Sequence, residues 1–185
     1  MSCKLEIHPC DYKAAKFAVL NFHYSQVMPA GKLVKYGVWE DKKFIGAVIF
    51  GRGANNNLAK SVGLTQTECC ELVRVALSKH KTPVTRIISI CLKLLKKSNK
   101  GLKVVCSYAD KTNQGHEGVI YKAGNWQYHG IRSTKSVHTK VGDRLIHNRS
   151  ISSKYKTRKN IPDKIKKILK KVELQEKHFF TYHLR

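Results

Sequence analysis

The residues best suited to chemistry fall between Ser107 and Trp126. Ser107-Tyr108-Ala109-Asp110 follows a strand predicted over Leu102–Cys106. Polar side chains at the C-terminal end of a parallel strand face the crevice where open α/β sheets bind ligands. Asp110 can act there as a base, a metal ligand or an anchor for an amine. Taken alone it reads equally well as a turn or cap residue. Tyr108 and Tyr121 supply hydroxyls and flat faces on which a nucleobase can stack, and Trp126 adds a third ring.

A second group lies in the loop Ser78–Arg86, between a predicted strand Glu71–Leu77 and a helix opening at Pro83. A strand that feeds a helix N-terminus presents unpaired N–H groups and a favourable dipole to an anion. Lys79, Lys81 and Arg86 surround this start, so a phosphate-bearing cofactor can rest there; the alternative is a solvated basic loop. No glycine occurs between Ser78 and Thr85. A third group is His23-Tyr24, just after the first predicted helix. Two histidines and one carboxylate form a known iron-binding set, and His23, Asp110 and His116 are the candidates. With nine histidines in the chain, one near an aspartate also arises by chance.

The fourth group is electrostatic. Lys156, Arg158, Lys159, Lys166, Lys167 and Lys170 crowd the C-terminal part, about 151–185, with Tyr155 and Tyr128 as interleaved aromatics. They are candidates for phosphate contacts on DNA, against the plainer reading of a solvated helix face. Over the whole chain 36 basic residues oppose 12 acidic ones, a net charge of +24. Such self-repulsion calls for a polyanionic partner, nucleic acid before an anionic membrane surface. No stretch approaches the roughly 20 apolar residues of a membrane span. Met1-Ser2-Cys3-Lys4 opens no signal peptide, so the expected compartment is the cytoplasm. The six cysteines form no Cys-x-x-Cys, which excludes a zinc ribbon and leaves reduced thiols.

These groups need a scaffold. At 185 residues and 42 % hydrophobic, the chain reads as a single domain, 1–185, with a real core. Lys4–His8 reads as a strand, and Asp11 caps a helix with Ala14, Ala15, Ala18, Val19 and Phe22 on one side. Val34–Trp39 and Phe44–Phe50 form a hairpin around the polar turn Glu40–Lys43. Glu71–Leu77, the helix Pro83–Ser98 and Leu102–Cys106 make a strand–helix–strand unit short enough for a parallel crossover. A short helix Gly118–Ala123, a strand Trp126–Gly130, a hairpin Val137–Val141/Arg144–His147, a helix Pro162–Val172 and a strand His178–Leu184 follow. The fold class is α/β, a mixed twisted sheet flanked by helices.

This order of elements resembles the GNAT acetyltransferase superfamily, which binds acetyl-coenzyme A at the central crossover. The absent glycines depart from its usual cofactor loop. A closer resemblance is to the Mom family of phage DNA-modification proteins. It is carried by Ser107-Tyr108-Ala109-Asp110, Gly115-His116-Glu117-Gly118, Ile120-Tyr121-Lys122-Ala123-Gly124-Asn125-Trp126 and Tyr128-His129-Gly130. His23-Tyr24, Phe50-Gly51, Glu71-Leu72-Val73-Arg74 and Lys177-His178-Phe179-Phe180 add to it. The resemblance implies conversion of adenine in double-stranded DNA to N6-carbamoylmethyladenine, which protects phage DNA from host restriction. It implies Asp110, Tyr121, Tyr24 and His23 as catalytic, Arg74 and Ser89 near an acyl-coenzyme A, and Fe(II) as the metal. A duplex adenine must be flipped out and stacked before its amino group can react. Two other expectations stand beside this one. One is an N-acetyltransferase acting on a protein, tRNA or small-molecule amine; the other is a non-catalytic nucleic-acid-binding module.

Overall fold

Lys43–Gly51 is almost continuously apolar, which suits a strand covered on both faces. In a computed structural model that describes residues 3–53, 57–134, 138–141, 144–147, 155, 160–168, 171–172 and 175–185, it is β3, inside a seven-stranded mixed sheet. The strands are β1 (Leu5–Pro9), β2 (Leu33–Glu40), β3, β4 (Cys69–Leu77), β5 (Val104–Asp110), β6 (Gln127–Thr134) and β10 (Gln175–His183). Their order is β1-β2-β3-β4-β5-β10-β6. The chain divides into two compact units.

The first unit comprises Met1–Tyr108, Gly118–Gly130 and Phe179–Arg185. Helix α1 (Tyr12–Phe22) starts where the Asp11 carboxylate accepts the Ala14 N–H at 2.7 Å. Its small residues Ala15, Ala18 and Val19 pack closely on Ala47, Ile49 and Ala76. Helix α2 (Val84–Ser98) buries Ile87, Ile88, Cys91, Leu92 and Leu95, the stripe expected from its spacing. The β2–β3 turn places Asp41 and Lys42 at φ 48° and 67°. Both conformations are left-handed, as a two-residue hairpin turn requires. Asp41 holds the turn by accepting the Lys4 N–H at 2.9 Å.

Two irregularities shape the middle of this sheet. Strands β4 and β5 run parallel, as the crossover predicts, but pair only at Cys69↔Val104, Cys70↔Val105 and Glu71↔Cys106. Beyond Glu71 and Cys106 that ladder stops and a fork begins. On the other side of β4, the register steps from Ile49↔Arg74 to Phe50↔Leu72, so Val73 is an extra residue in a β-bulge.

The second unit comprises Ala109–Glu117 and Ile131–His178. It holds the short helix α3 (Lys111–Gln114) and a three-stranded sheet in which β7 (His138–Val141) pairs with β8 (Arg144–His147) and β9 (Lys171–Val172). The expected β7–β8 hairpin is present. Helix α5 (Asp163–Ile168) is shorter than the helix expected over Pro162–Val172. Lys171 and Val172 pair instead with Thr139 and His138, a tertiary partner that outweighs helical spacing. Thr112 Oγ1 accepts the Glu176 N–H at 2.8 Å, and Lys111 reaches the Glu176 carboxylate at 3.2 Å. Among the described residues no helix is long and apolar enough to cross a membrane.

Candidate active site

Ser107 is the first β5 residue beyond the last β4–β5 pair, and Leu72 is its counterpart on β4. The fully buried Ser107 hydroxyl lies 3.0 Å from the Leu72 carbonyl oxygen and 2.8 Å from the Tyr121 hydroxyl. A carbonyl can only accept and serine has one proton. With that proton on Leu72, the Tyr121 O–H donates to Ser107, giving a chain of phenol, alcohol and carbonyl across the fork. Tyr121 sits on α4 (Val119–Lys122), entered through Gly118 at φ 72°. A Cβ at Gly118 would fall 2.3 Å from Phe180 Cζ, so glycine alone lets α4 lie on that ring. The Tyr121 ring packs on Phe180 and Trp126 at centroid distances of 5.0 and 5.1 Å. Burial pushes its phenol up to about 12, with the Ser107 hydrogen bond opposing in part. At neutral pH Tyr121 is a neutral proton donor, not a base.

Arg74 and Tyr24 belong to the same neighbourhood. Arg74 follows the bulge at Val73 and turns back into the protein, donating to the carbonyls of Val73 at 2.7 Å and Val27 at 3.3 Å. Its buried Nε has no hydrogen-bond partner among the described residues. Burial lowers the guanidinium's pKa, and Tyr24 and Glu71 oppose that shift. Tyr24 also acts electrostatically on Tyr121, so Tyr24, Arg74, Glu71 and Tyr121 share one field. Tyr24 is 53 % exposed and lies against His23 at 4.3 Å. The His23 Nδ1 accepts the Ser25 N–H at 3.1 Å and lies 2.8 Å from Ser25 Oγ. A neutral His23 therefore carries its proton on Nε2.

The crossover is built differently. Lys79, Lys81 and Arg86 are exposed around the start of α2, and Ser89 is half-buried one turn on. The buried Glu40, 7 % exposed, reaches into the loop. Its carboxylate accepts the Lys81 N–H at 2.9 and 3.2 Å and the Thr82 N–H at 2.7 Å. Hydrogen bonds from Thr82 and Lys81 and the charge of His80 hold its pKa below the ordinary value, against desolvation. Pro83 has no N–H, and Arg86 and Ile87 donate to the Pro83 carbonyl. Of the first helix amides, those of Val84 and Thr85 remain for an external anion. An amide cradle for a cofactor diphosphate does not fit this loop; the three cationic side chains are the groups that could hold phosphates.

Asp110 closes β5 and belongs to the second unit, where its carbonyl accepts the His116 N–H at 3.0 Å. Ser107–Asp110 were expected beyond the strand and are instead its last four residues. Among the described residues no three His, Cys, Asp or Glu side chains converge to hold a metal ion. Of the trio expected to hold iron, His23 belongs to the first unit and Asp110 and His116 to the second. Trp126, expected to stack on a base, is 6 % exposed and packed between Tyr121 and Tyr182. Tyr108 is half-buried against Phe179 at 5.0 Å. The aromatics that do reach solvent are Tyr12, Phe17, Tyr24 and Tyr128. Lys166 and Lys167 are exposed on α5; Lys156, Arg158, Lys159 and Lys170 lie outside the described residues. Sequence reasoning missed Glu40 as a loop anchor and Ser107 as the partner of Tyr121, since both roles depend on contacts distant in sequence.

The fold is that of the acetyltransferases. An N-acetyltransferase from Staphylococcus aureus Mu50 superposes with a TM-score of 0.57 at 14% identity, covering 98% of each chain. A probable acetyltransferase from Staphylococcus epidermidis ATCC 12228 gives 0.56 at 10% identity, covering 98% of this chain and 100% of that one. Spermidine/spermine N-acetyltransferase from Vibrio cholerae gives 0.53 at 10% identity, covering 97% and 92%. No curated protein matches the sequence. The family model that matches spans residues 4–185, and by it this chain belongs to the Mom protein family.

Proposed function

We propose that this protein is a DNA-modifying transferase that acts on adenine and yields N6-carbamoylmethyladenine, protecting phage DNA from host restriction. Membership of the Mom family over residues 4–185 carries the reading. The charge supports it. The second unit alone has sixteen Lys and Arg against six Asp and Glu, a balance suited to the phosphates of a duplex. Residues 1–185 then serve as one DNA-modification domain, working in the host bacterial cytoplasm on an adenine flipped out of the helix.

Acetyl-coenzyme A would supply the two carbons in this reading; joining its methyl carbon to N6 is a two-electron oxidation, so the reaction also takes an oxidant and an ammonia-level nitrogen donor that displaces the thiol to form the amide. Lys79, Lys81 and Arg86 would hold its phosphates, with Arg74 and Ser89 nearer the acyl arm. Tyr121 delivers its own phenolic proton at the fork, the phenol being positioned by the Ser107 hydroxyl; Tyr24 offers its exposed face to the base; Asp110 orients the adenine amino group. Mass analysis of nucleosides from cells expressing the protein tests this. The expected result is a carbamoylmethylated deoxyadenosine that disappears with Asp110→Ala. Soluble, folded protein with only unmodified adenine would sink it. The acetyltransferase fold favours a second reading, transfer of acetyl to a protein, tRNA or small-molecule amine, which predicts an acetylated amine and unaltered DNA. A purely binding module predicts that Asp110→Ala changes nothing.

A further inference from the structure

A strand-to-helix crossover is an anion site because its amides lack acceptors. Here the chain supplies its own anion. Glu40 comes from the end of β2, 41 residues away from Lys81 along the chain, and its two oxygens engage the Lys81 and Thr82 amides at 2.7–3.2 Å. A surface glutamate with no such task would point to water, yet this one is buried. Lys79, Lys81 and Arg86, exposed along the same loop and helix start, supply a positive field that would otherwise invite a phosphate. A carboxylate and a phosphate cannot share two amides, and their charges repel.

We propose that Glu40 is a specificity-determining residue: an internal anion that keeps a diphosphate off the crossover amides. An acyl-coenzyme A is then recognised chiefly through its pantetheine arm and acyl group, and its diphosphate is held only by solvated side chains. The choice of ligand rests on the acyl-donor reading above, whereas the closed amide site follows from the Glu40 geometry.

The test is calorimetric binding of coenzyme A and of pantetheine, which lacks the diphosphate, to the full chain without DNA. Wild-type protein should bind the two within about tenfold, since exposed ion pairs contribute little. Glu40→Gln removes the charge while keeping the shape, and Glu40→Ala empties the amides. Both should tighten coenzyme A by about tenfold or more and leave pantetheine unchanged; one lost like-charge contact at low dielectric is of that order. Variants that fold, by circular dichroism, yet bind coenzyme A no tighter than wild type overturn the proposal. So does wild-type protein whose affinity depends strongly on the diphosphate. If Glu40→Ala does not fold, Glu40→Gln alone decides. Absence of a modified nucleoside would refute the DNA reading and leave this binding result standing.

Discussion

The first unit contains two polar clusters, one in the loop after β4 and one where β4 and β5 part, and they are made on opposite principles. At the crossover, a buried carboxylate is held by backbone amides in a loop that carries exposed cations. At the fork, two buried hydroxyls and a carbonyl form a hydrogen-bonded line with no formal charge. Ionised groups next to solvent tune binding and respond to salt. Neutral donors in a dry setting keep their protons and hold their geometry, which suits a group that must act at one point in a reaction. The fork is therefore the better place for chemistry and the crossover for recognition.

The largest effect should come from breaking the fork. Tyr121→Phe removes the proton while keeping the ring that packs on Phe180 and Trp126. A positioned proton donor is worth about 10²–10⁴-fold. Formation of modified nucleoside should fall by at least about 10²-fold with little change in thermal midpoint. Ser107→Ala should give a smaller loss, since the phenol survives without its acceptor. An unchanged rate in Tyr121→Phe would make the fork a packing device and reverse the contrast.

The pH response sharpens it further, because the clusters should lose stability at opposite ends of the scale. Glu40 has its pKa lowered from 4.5, so its contribution is present above that value and is lost as pH falls through the folded one. Tyr121 is raised from 10 to about 12, so its contribution is intact below pH 10 and is lost as pH rises towards 12. One such proton changes stability by at most about 1.4 kcal/mol per pH unit inside its window. Thermal midpoints measured from pH 3 to 12 should show Glu40→Gln flattening the acid limb alone. Tyr121→Phe should flatten the alkaline limb alone. A variant that altered both limbs would show the clusters to be coupled.

The scaffold was legible where one element explains itself. The apolar run of β3, the α2 stripe and the strand–helix–strand spacing each reflect local periodicity, and together they place the crossover. The sites were less legible because their partners are remote. Glu40 lies in a turn that reads as plain polar surface until Lys81 and Thr82 are brought to it. Ser107 looks like the end of a strand because its hydroxyl partners, Leu72 and Tyr121, lie 35 and 14 residues away. Trp126 reads as a stacking platform until Tyr182, three residues from the end of the chain, covers it. Val172 reads as helical until β7 pairs with it. Residue types pointed to Tyr24 and Tyr121 and the family resemblance to Arg74, and the three do share one electrostatic neighbourhood. Neither signal could show that Arg74 spends its Nη groups on the chain's own carbonyls.

The smallest effects belong to the crossover's exposed cations. Lys79, Lys81 and Arg86 are solvated, and a single exposed ion pair contributes roughly 0.2–1 kcal/mol. Replacing any one with alanine should weaken coenzyme A by about twofold, and replacing all three should cost no more than the roughly tenfold that the phosphates contribute in all. The dependence on salt decides the case. Side-chain phosphate contacts are screened over about 10 Å at 0.1 M salt, so the wild-type advantage over the triple variant should shrink steadily as salt is raised. In Glu40→Ala, where the amides are released to the ligand, coenzyme A should keep an advantage over pantetheine at high salt, because fixed backbone donors are screened less than solvated side chains. If the triple variant at high salt still bound coenzyme A more tightly than pantetheine, the amides would already be open to the cofactor, and the two clusters would differ less than their geometry indicates.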